Sequence, residues 1–274
     1  MNSSQRHNWQ IIENTAQNPD APFVVLAHGF GTDHQAWHRI LPWLRARYNV
    51  AVYDLAGAGR NGVASFDPLR HTGIDAYADD LIALLDEQNI GRCTIITHSV
   101  SGMVALLASL RRPGLFDRVI MISASPCYLN SYDYHGGFEQ ADLDGLFAAM
   151  AANYHEWAAG FAPGIVGGDF PDAVDEFTRG LRDMRPDIAL QTASFIFLAD
   201  VRAILPAITV PVVAIQPEQD PAVPVAVGEY LRTHIPDCKM EWINSIGHMP
   251  HMTHPAEIIR CLEKHFGEPV TPSS

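Results

Sequence analysis

A serine hydroxyl becomes a nucleophile only when a base takes its proton and an acid holds that base. The residues to look for are therefore a serine, a histidine and a carboxylate on turns that can meet. Thr97-His98-Ser99-Val100-Ser101-Gly102 joins an apolar β-rich run to a helical one. A serine on so sharp a turn stands clear of the backbone, above the positive end of the following helix. The usual elbow is G-x-S-x-G, and here Thr97 and Ser101 take the two glycine positions. On this match alone Ser99 reads as well as a helix cap as it does as a nucleophile. Two later loops add to it. Asp220 follows the run Val212–Gln216 in EQDPAVP, and His248 follows Met240–Ile243 in SIGHMPH. Serine, acid, histidine is one of the chain orders in which folds supply such a triad. Glu218 is a rival for the acid, and an Asp-Pro pair such as Asp220-Pro221 also suits an ordinary turn.

A tetrahedral intermediate needs donors for its oxyanion, and backbone amides serve best. The loop His28-Gly29-Phe30-Gly31 follows the first clear strand, so the amides of Phe30 and Val100 are the candidates. His248, His251 and His254 recur every third residue, but Pro250 and Pro255 interrupt any regular helix through them and no acidic ligand lies among them. No metal is expected there, and no cofactor motif occurs. His34 and His38 have the spacing of a solvated helix face.

These residues need a scaffold of strands that deliver loops to one edge. Phe23–Ala27, Val50–Asp54, Thr94–Thr97, Arg118–Ser123, Val212–Gln216 and Met240–Ile243 read as strands. Helical patterns alternate with them at Trp37–Arg45, around Tyr77–Leu85, after Gly102, and at Val225–His234 and Ala256–Phe266. That alternation predicts an α/β fold, a mostly parallel sheet with helices on both faces. Between Tyr132 and Asp200 the strands stop, and helical stretches appear at Glu139–Ala152, His155–Gly160, Ala173–Met184 and Ile188–Ala199. The expected division is a core of residues 1–131 and 201–274 with a helical lid of 132–200 over the strand ends, and a frayed tail at 267–274. The chain has 274 residues and a net charge of −13, which argues against nucleic acid or an anionic membrane as partner. No leader or membrane span is legible, and four scattered cysteines without a CxxC pair suggest a reduced, cytoplasmic setting.

The motifs together resemble the RsbQ-type α/β-hydrolases, a family that includes a bacterial stress-signalling protein and the plant strigolactone and karrikin receptors. The likeness runs from about His28 to Phe266 and rests on HGFGTD at His28, HSVS at His98, ISASPCYLN at Ile122, YHGGFEQ at Tyr134, GFAP at Gly160, VGGD at Val166, MRPDIAL at Met184 and GHMPHMTHP at Gly247. It implies an α/β-hydrolase fold with a four-helix, V-shaped lid. It places the nucleophile on Ser99, the acid on Asp220, the base on His248 and the oxyanion donors on Phe30 and Val100. Its ligand-lining aromatics fall on Phe30, Tyr128, Phe138, Trp157, Phe161 and Phe197. The resemblance implies a small hydrophobic ester or butenolide lactone as substrate, or else a ligand-responsive receptor whose lid meets a protein partner. Thr97 departs from the family's glycine, which puts a β-carbon and hydroxyl behind the elbow.

Overall fold

The computed structural model describes residues 2–266 apart from 17, 19, 60 and 61. The tail at 267–274 lies outside the described residues. Strands β1 (Gln10–Ile12), β2 (Phe23–Ala27), β3 (Asn49–Tyr53), β4 (Cys93–His98), β5 (Phe116–Ile122), β6 (Val212–Gln219) and β7 (Cys238–Ile246) form one sheet in the order β1-β3-β2-β4-β5-β6-β7. Only β1 runs antiparallel, pairing with β3. The expected mostly parallel sheet is observed, with one edge strand more than the sequence suggests. β1 is three residues long and largely exposed, so it carries neither an apolar run nor a clear alternation.

The helices are α1 (Ser3–Arg6), α2 (Leu41–Arg45), α3 (Ile74–Glu87), α4 (Val100–Arg111), α5 (Gln140–Ala152), α6 (Tyr154–Val166), α7 (Pro171–Asp183), α8 (Pro186–Phe197), α9 (Val225–His234), α10 (Pro250–Thr253) and α11 (Pro255–Phe266). Central strands are buried on both faces because alternate side chains point to opposite sides. Val25, Ile95, Val119 and Met121 join a cluster with Leu81 and Leu84 of α3, Val104 of α4 and Leu231 of α9. Val24, Leu26, Ile96, Ile120 and Ile122 join a second cluster with Leu44 of α2 and Ile258 and Leu262 of α11. The strand ends that deliver Ser99, Asp220 and His248 are thereby fixed between two apolar layers.

Two helical expectations change. Trp37–Arg45 is a 3-10 turn, His34–Trp37, followed by α2, although Trp37, Ile40 and Leu44 still share one buried face. The stretch expected to stop at Gly160 instead runs from Tyr154 through Pro163 to Val166. The proline sacrifices one N–H, but continuing the helix buries Ala162, Ile165 and Val166. Between β5 and β6 the described residues hold the four helices α5–α8, a 3-10 turn at Arg202–Ala207 and isolated bridges, with no strand.

Candidate active site

Strand β4 ends directly in the elbow. Ser99 has φ 56° and ψ −127°, a region that non-glycine residues seldom occupy and that costs about 1–3 kcal/mol. The strain persists because Ser99 N–H bonds to Ile122 O at 2.9 Å and α4 is held against the sheet by its buried face. The result lifts the hydroxyl off the strand end. At the second glycine position, Ser101 Oγ donates to His28 O and ties the start of α4 to the His28–Gly31 loop. Neither Phe30 N–H nor Val100 N–H is paired outside its own element among the described residues, so both are free to face an oxyanion.

His248 Nε2 lies 2.9 Å from Ser99 Oγ, and its Nδ1 lies 2.9 and 3.0 Å from the two carboxylate oxygens of Asp220. A carboxylate can only accept, so Nδ1 carries the proton and Nε2 is left to accept from the serine. Asp220 is positioned by its own loop: its Oδ1 accepts from Ala222 N–H at 2.8 Å and Val223 N–H at 3.1 Å. Gln216 Nε2 donates to the other oxygen at 3.3 Å. All three residues are buried, whereas Glu218 points to solvent and takes no part. Ahead of His248, Gly247 has φ +100°, and a β-carbon there would run into Val166 O at the end of α6. This close approach lets His248 N–H bond to Ile165 O at 2.8 Å. The Tyr128 hydroxyl adds a further polar group 3.2 Å from Ser99 Oγ, and burial pushes its phenol up to about 12.

Comparison with known proteins gives the family. The alpha/beta hydrolase family model matches residues 24–260. The chain belongs to the alpha/beta hydrolase family. Among curated relatives, this hydrolase is 46% identical to strigolactone esterase D14 of Arabidopsis thaliana, covering 88% of this chain and 91% of the relative. It is 44% identical to the karrikin insensitive 2 receptor CA of Petunia hybrida over 96% of both chains. Among solved structures, a hydrolase from Oleispira antarctica superposes with a TM-score of 0.91 at 33% identity, covering 96% of this chain and 95% of that one. The likeness read from the ordered motifs therefore holds along the hydrolase.

The aromatics nominated by resemblance fall into separate groups. Tyr128, Phe138 and Phe197 pack together with ring centres 5.0–6.3 Å apart, Tyr128 placing its hydroxyl at Ser99. Trp157 and Phe161 stack at 4.8 Å in α6, extended by Tyr154 and Phe177. Phe30 stands apart from both and lines, with Gly29, Val100, Tyr77, Phe195 and Ile196, a small cavity of about 20 Å³. Thr97 meets no conflict at the glycine position, since its hydroxyl donates to Ile120 O on the neighbouring strand.

The histidine pairs read from spacing resolve differently. His34 is not on a solvated face: its Nδ1 sits 2.8 Å from Asp54 Oδ1, a bond that raises its pKa. Asp33, His34 and Asp54 bring ligand atoms within 4.8 Å of one another; His34 and Asp54 are hydrogen-bonded, while Asp33 Oδ1 accepts from Gln35 N–H. His248, His251 and His254 go separate ways, to Ser99 and Asp220, to a buried packing against Trp37 and to the edge of Phe170. Sequence reasoning missed the use of the Ser101 hydroxyl and the Tyr128 hydroxyl at the nucleophile. Neither has a spacing signature, because both act across separate elements.

Proposed function

We propose that the chain hydrolyses small hydrophobic esters or butenolide lactones of the strigolactone type, through Ser99, His248 and Asp220. What carries the reading is the continuous hydrogen-bonded chain from Asp220 through His248 to Ser99 Oγ, beside the amides of Phe30 and Val100. In this mechanism His248 Nε2 takes the Ser99 proton as Oγ attacks the ester or lactone carbonyl. The amides of Phe30 and Val100 receive the oxyanion, each worth about 3–4 kcal/mol in favourable sites. Asp220 stabilises the imidazolium, which then returns the proton to the departing alkoxide or enolate. Water, activated by the same base, releases the acyl group. Residues 132–200 act as the lid over the core of 1–131 and 201–274, and Tyr128, Phe138, Phe197, Trp157, Phe161 and Phe30 supply apolar walls for the ligand.

A second role, a ligand-responsive receptor with slow hydrolysis, draws support from one feature. The end of α6 is bonded to the base itself, through Ile165 O and His248 N–H, so a lid rearrangement bears directly on the site. The lid's outer face would then meet a protein partner. A soluble, cytoplasmic setting fits the free thiols of Cys93, Cys127, Cys238 and Cys261, and among the described residues no helix is long and apolar enough to cross a membrane.

The deciding experiment is single-turnover and steady-state hydrolysis of a fluorogenic strigolactone analogue by wild type and Ser99→Ala. Hydrolysis is expected in wild type and lost in the variant. Fast multiple turnover identifies an enzyme. One or a few turnovers with a ligand-dependent shift in melting temperature identify a receptor. Cleavage of a nitrophenyl ester but not of the analogue would retain the triad and remove the butenolide class.

A further inference from the structure

His98 is the residue before the nucleophile, yet its side chain turns toward the base. Its Nε2 lies 2.9 Å from the backbone carbonyl of His248. A carbonyl only accepts, so the neutral imidazole must carry its proton on Nε2 and donate. His98 Nδ1 has no partner among the described residues. His251, whose ring lies tilted with its centre 4.4 Å away, has neither nitrogen paired among the described residues. The one hydrogen bond this buried ring makes is therefore spent on the peptide of His248. That peptide lies just past the end of β7, after Gly247, which is bonded to Gln219 O at 2.9 Å, and before the short helix α10. Its N–H is held by Ile165 O of α6 at 2.8 Å, and its carbonyl by His98. Asp220 fixes the orientation of the imidazole, but a ring contact cannot fix where the α-carbon stands.

We propose that His98 is a positioning residue for His248, its Nε2–H tying the base loop to the residue next to Ser99 and so holding base and nucleophile at 2.9 Å. Because His98 and Ser99 are neighbours in the chain, one hydrogen bond links the elbow and the base loop directly, without passing through Asp220. A misplacement of the base by about an ångström costs about a hundredfold in rate while leaving substrate contacts alone. The inference rests on the hydrolase reading above.

The test compares hydrolysis of a nitrophenyl ester by wild type, His98→Leu, His98→Phe and His98→Gln. The first two remove the donor, and the third keeps an N–H of similar reach. Loss of the donor is expected to lower kcat about tenfold to a hundredfold with KM within about twofold, and His98→Gln to recover kcat to within about threefold. A folded His98→Leu or His98→Phe with wild-type kcat would overturn the proposal. So would an equal loss in all three variants, because that traces the effect to shape and not to the donor. Nitrogen-15 spectra of the wild-type imidazoles make the result independent of whether the variants fold: His98 must be the Nε2–H tautomer, and an Nδ1–H tautomer refutes the bond. Ser99→Ala, run alongside, separates the two failures. If it stays active the hydrolase reading falls, and if it is dead while the His98 variants are fully active only the positioning role falls.

Discussion

At the scale of single residues, the chemistry depends on hydroxyls and imidazoles held in unusual surroundings. Ser99→Ala removes one hydroxyl oxygen, and the expected outcome is a loss of at least ~10³-fold in kcat with a shift in stability below about 1 kcal/mol, read by kinetics and thermal melting. Asp220→Asn keeps the shape but permits the wrong tautomer of His248, so a fall of roughly 10⁴-fold is expected. A variant with full activity would remove Asp220 from the acid role. The buried histidines impose a pH dependence of their own. Burial, with nearby imidazoles adding to it, pushes His251 down to about 3 and His98 well below the usual value of 6.5. Below pH 6.5 the unfolded chain takes up protons that the folded chain refuses. Stability is therefore full above about pH 6.5 and is lost as pH falls from there toward 3, by up to about 1.4 kcal/mol per unit for each such histidine. Replacing His251 by phenylalanine is expected to flatten the melting-temperature profile between pH 7 and 5. An unchanged profile would mean that His251 is charged in the fold.

At the scale of elements, the helices between β5 and β6 reach the chemistry through two close approaches. The end of α6 abuts Gly247, and α7 lies against the loop that carries Phe30, where a β-carbon at Gly180 would collide with Gly31 O. An alanine in a helix interior ordinarily stabilises by about 1 kcal/mol over glycine. Gly160→Ala in α6, with nothing within 4 Å, should realise that gain in thermal melting. Gly180→Ala should instead destabilise and lower kcat, because the loop bearing the oxyanion donor must shift. Equal behaviour of the two variants would show that α7 does not bear on the loop.

At the scale of the whole molecule, α7 is tied to the segment ahead of α2 by the paired bonds of Arg39 to Glu176 at 2.7 Å. Burial raises the Glu176 pKa and the Arg39 guanidinium more than reverses it, holding the carboxyl below its usual range. The pair is partly exposed, so Glu176→Gln should cost under about 1 kcal/mol in global stability. It should nevertheless speed hydrogen exchange in α7, and unchanged exchange would show that apolar packing alone holds the helix down.

Much of this molecule was legible in the chain because periodicity reports burial. Runs such as Phe23–Ala27 and Thr94–Thr97 declared central strands, and the residues that come after such runs, Ser99, Asp220 and His248, had to lie at one edge of the sheet. Ordered motifs added the family. The structure supplied what depends on contacts between distant segments. Burial carried α6 past Pro163 against local preference, and Asp54 drew His34 inward from a spacing that suggested solvent. The nominated aromatics parted into two clusters and a lone Phe30. His98 and Ser101, unremarkable neighbours of Ser99 in sequence, turned out to bond the His248 peptide and the His28–Gly31 loop. Sequence patterns encode which face of an element is apolar. Which polar atoms meet across elements is set only once the chain has closed on itself, because those distances belong to no single segment.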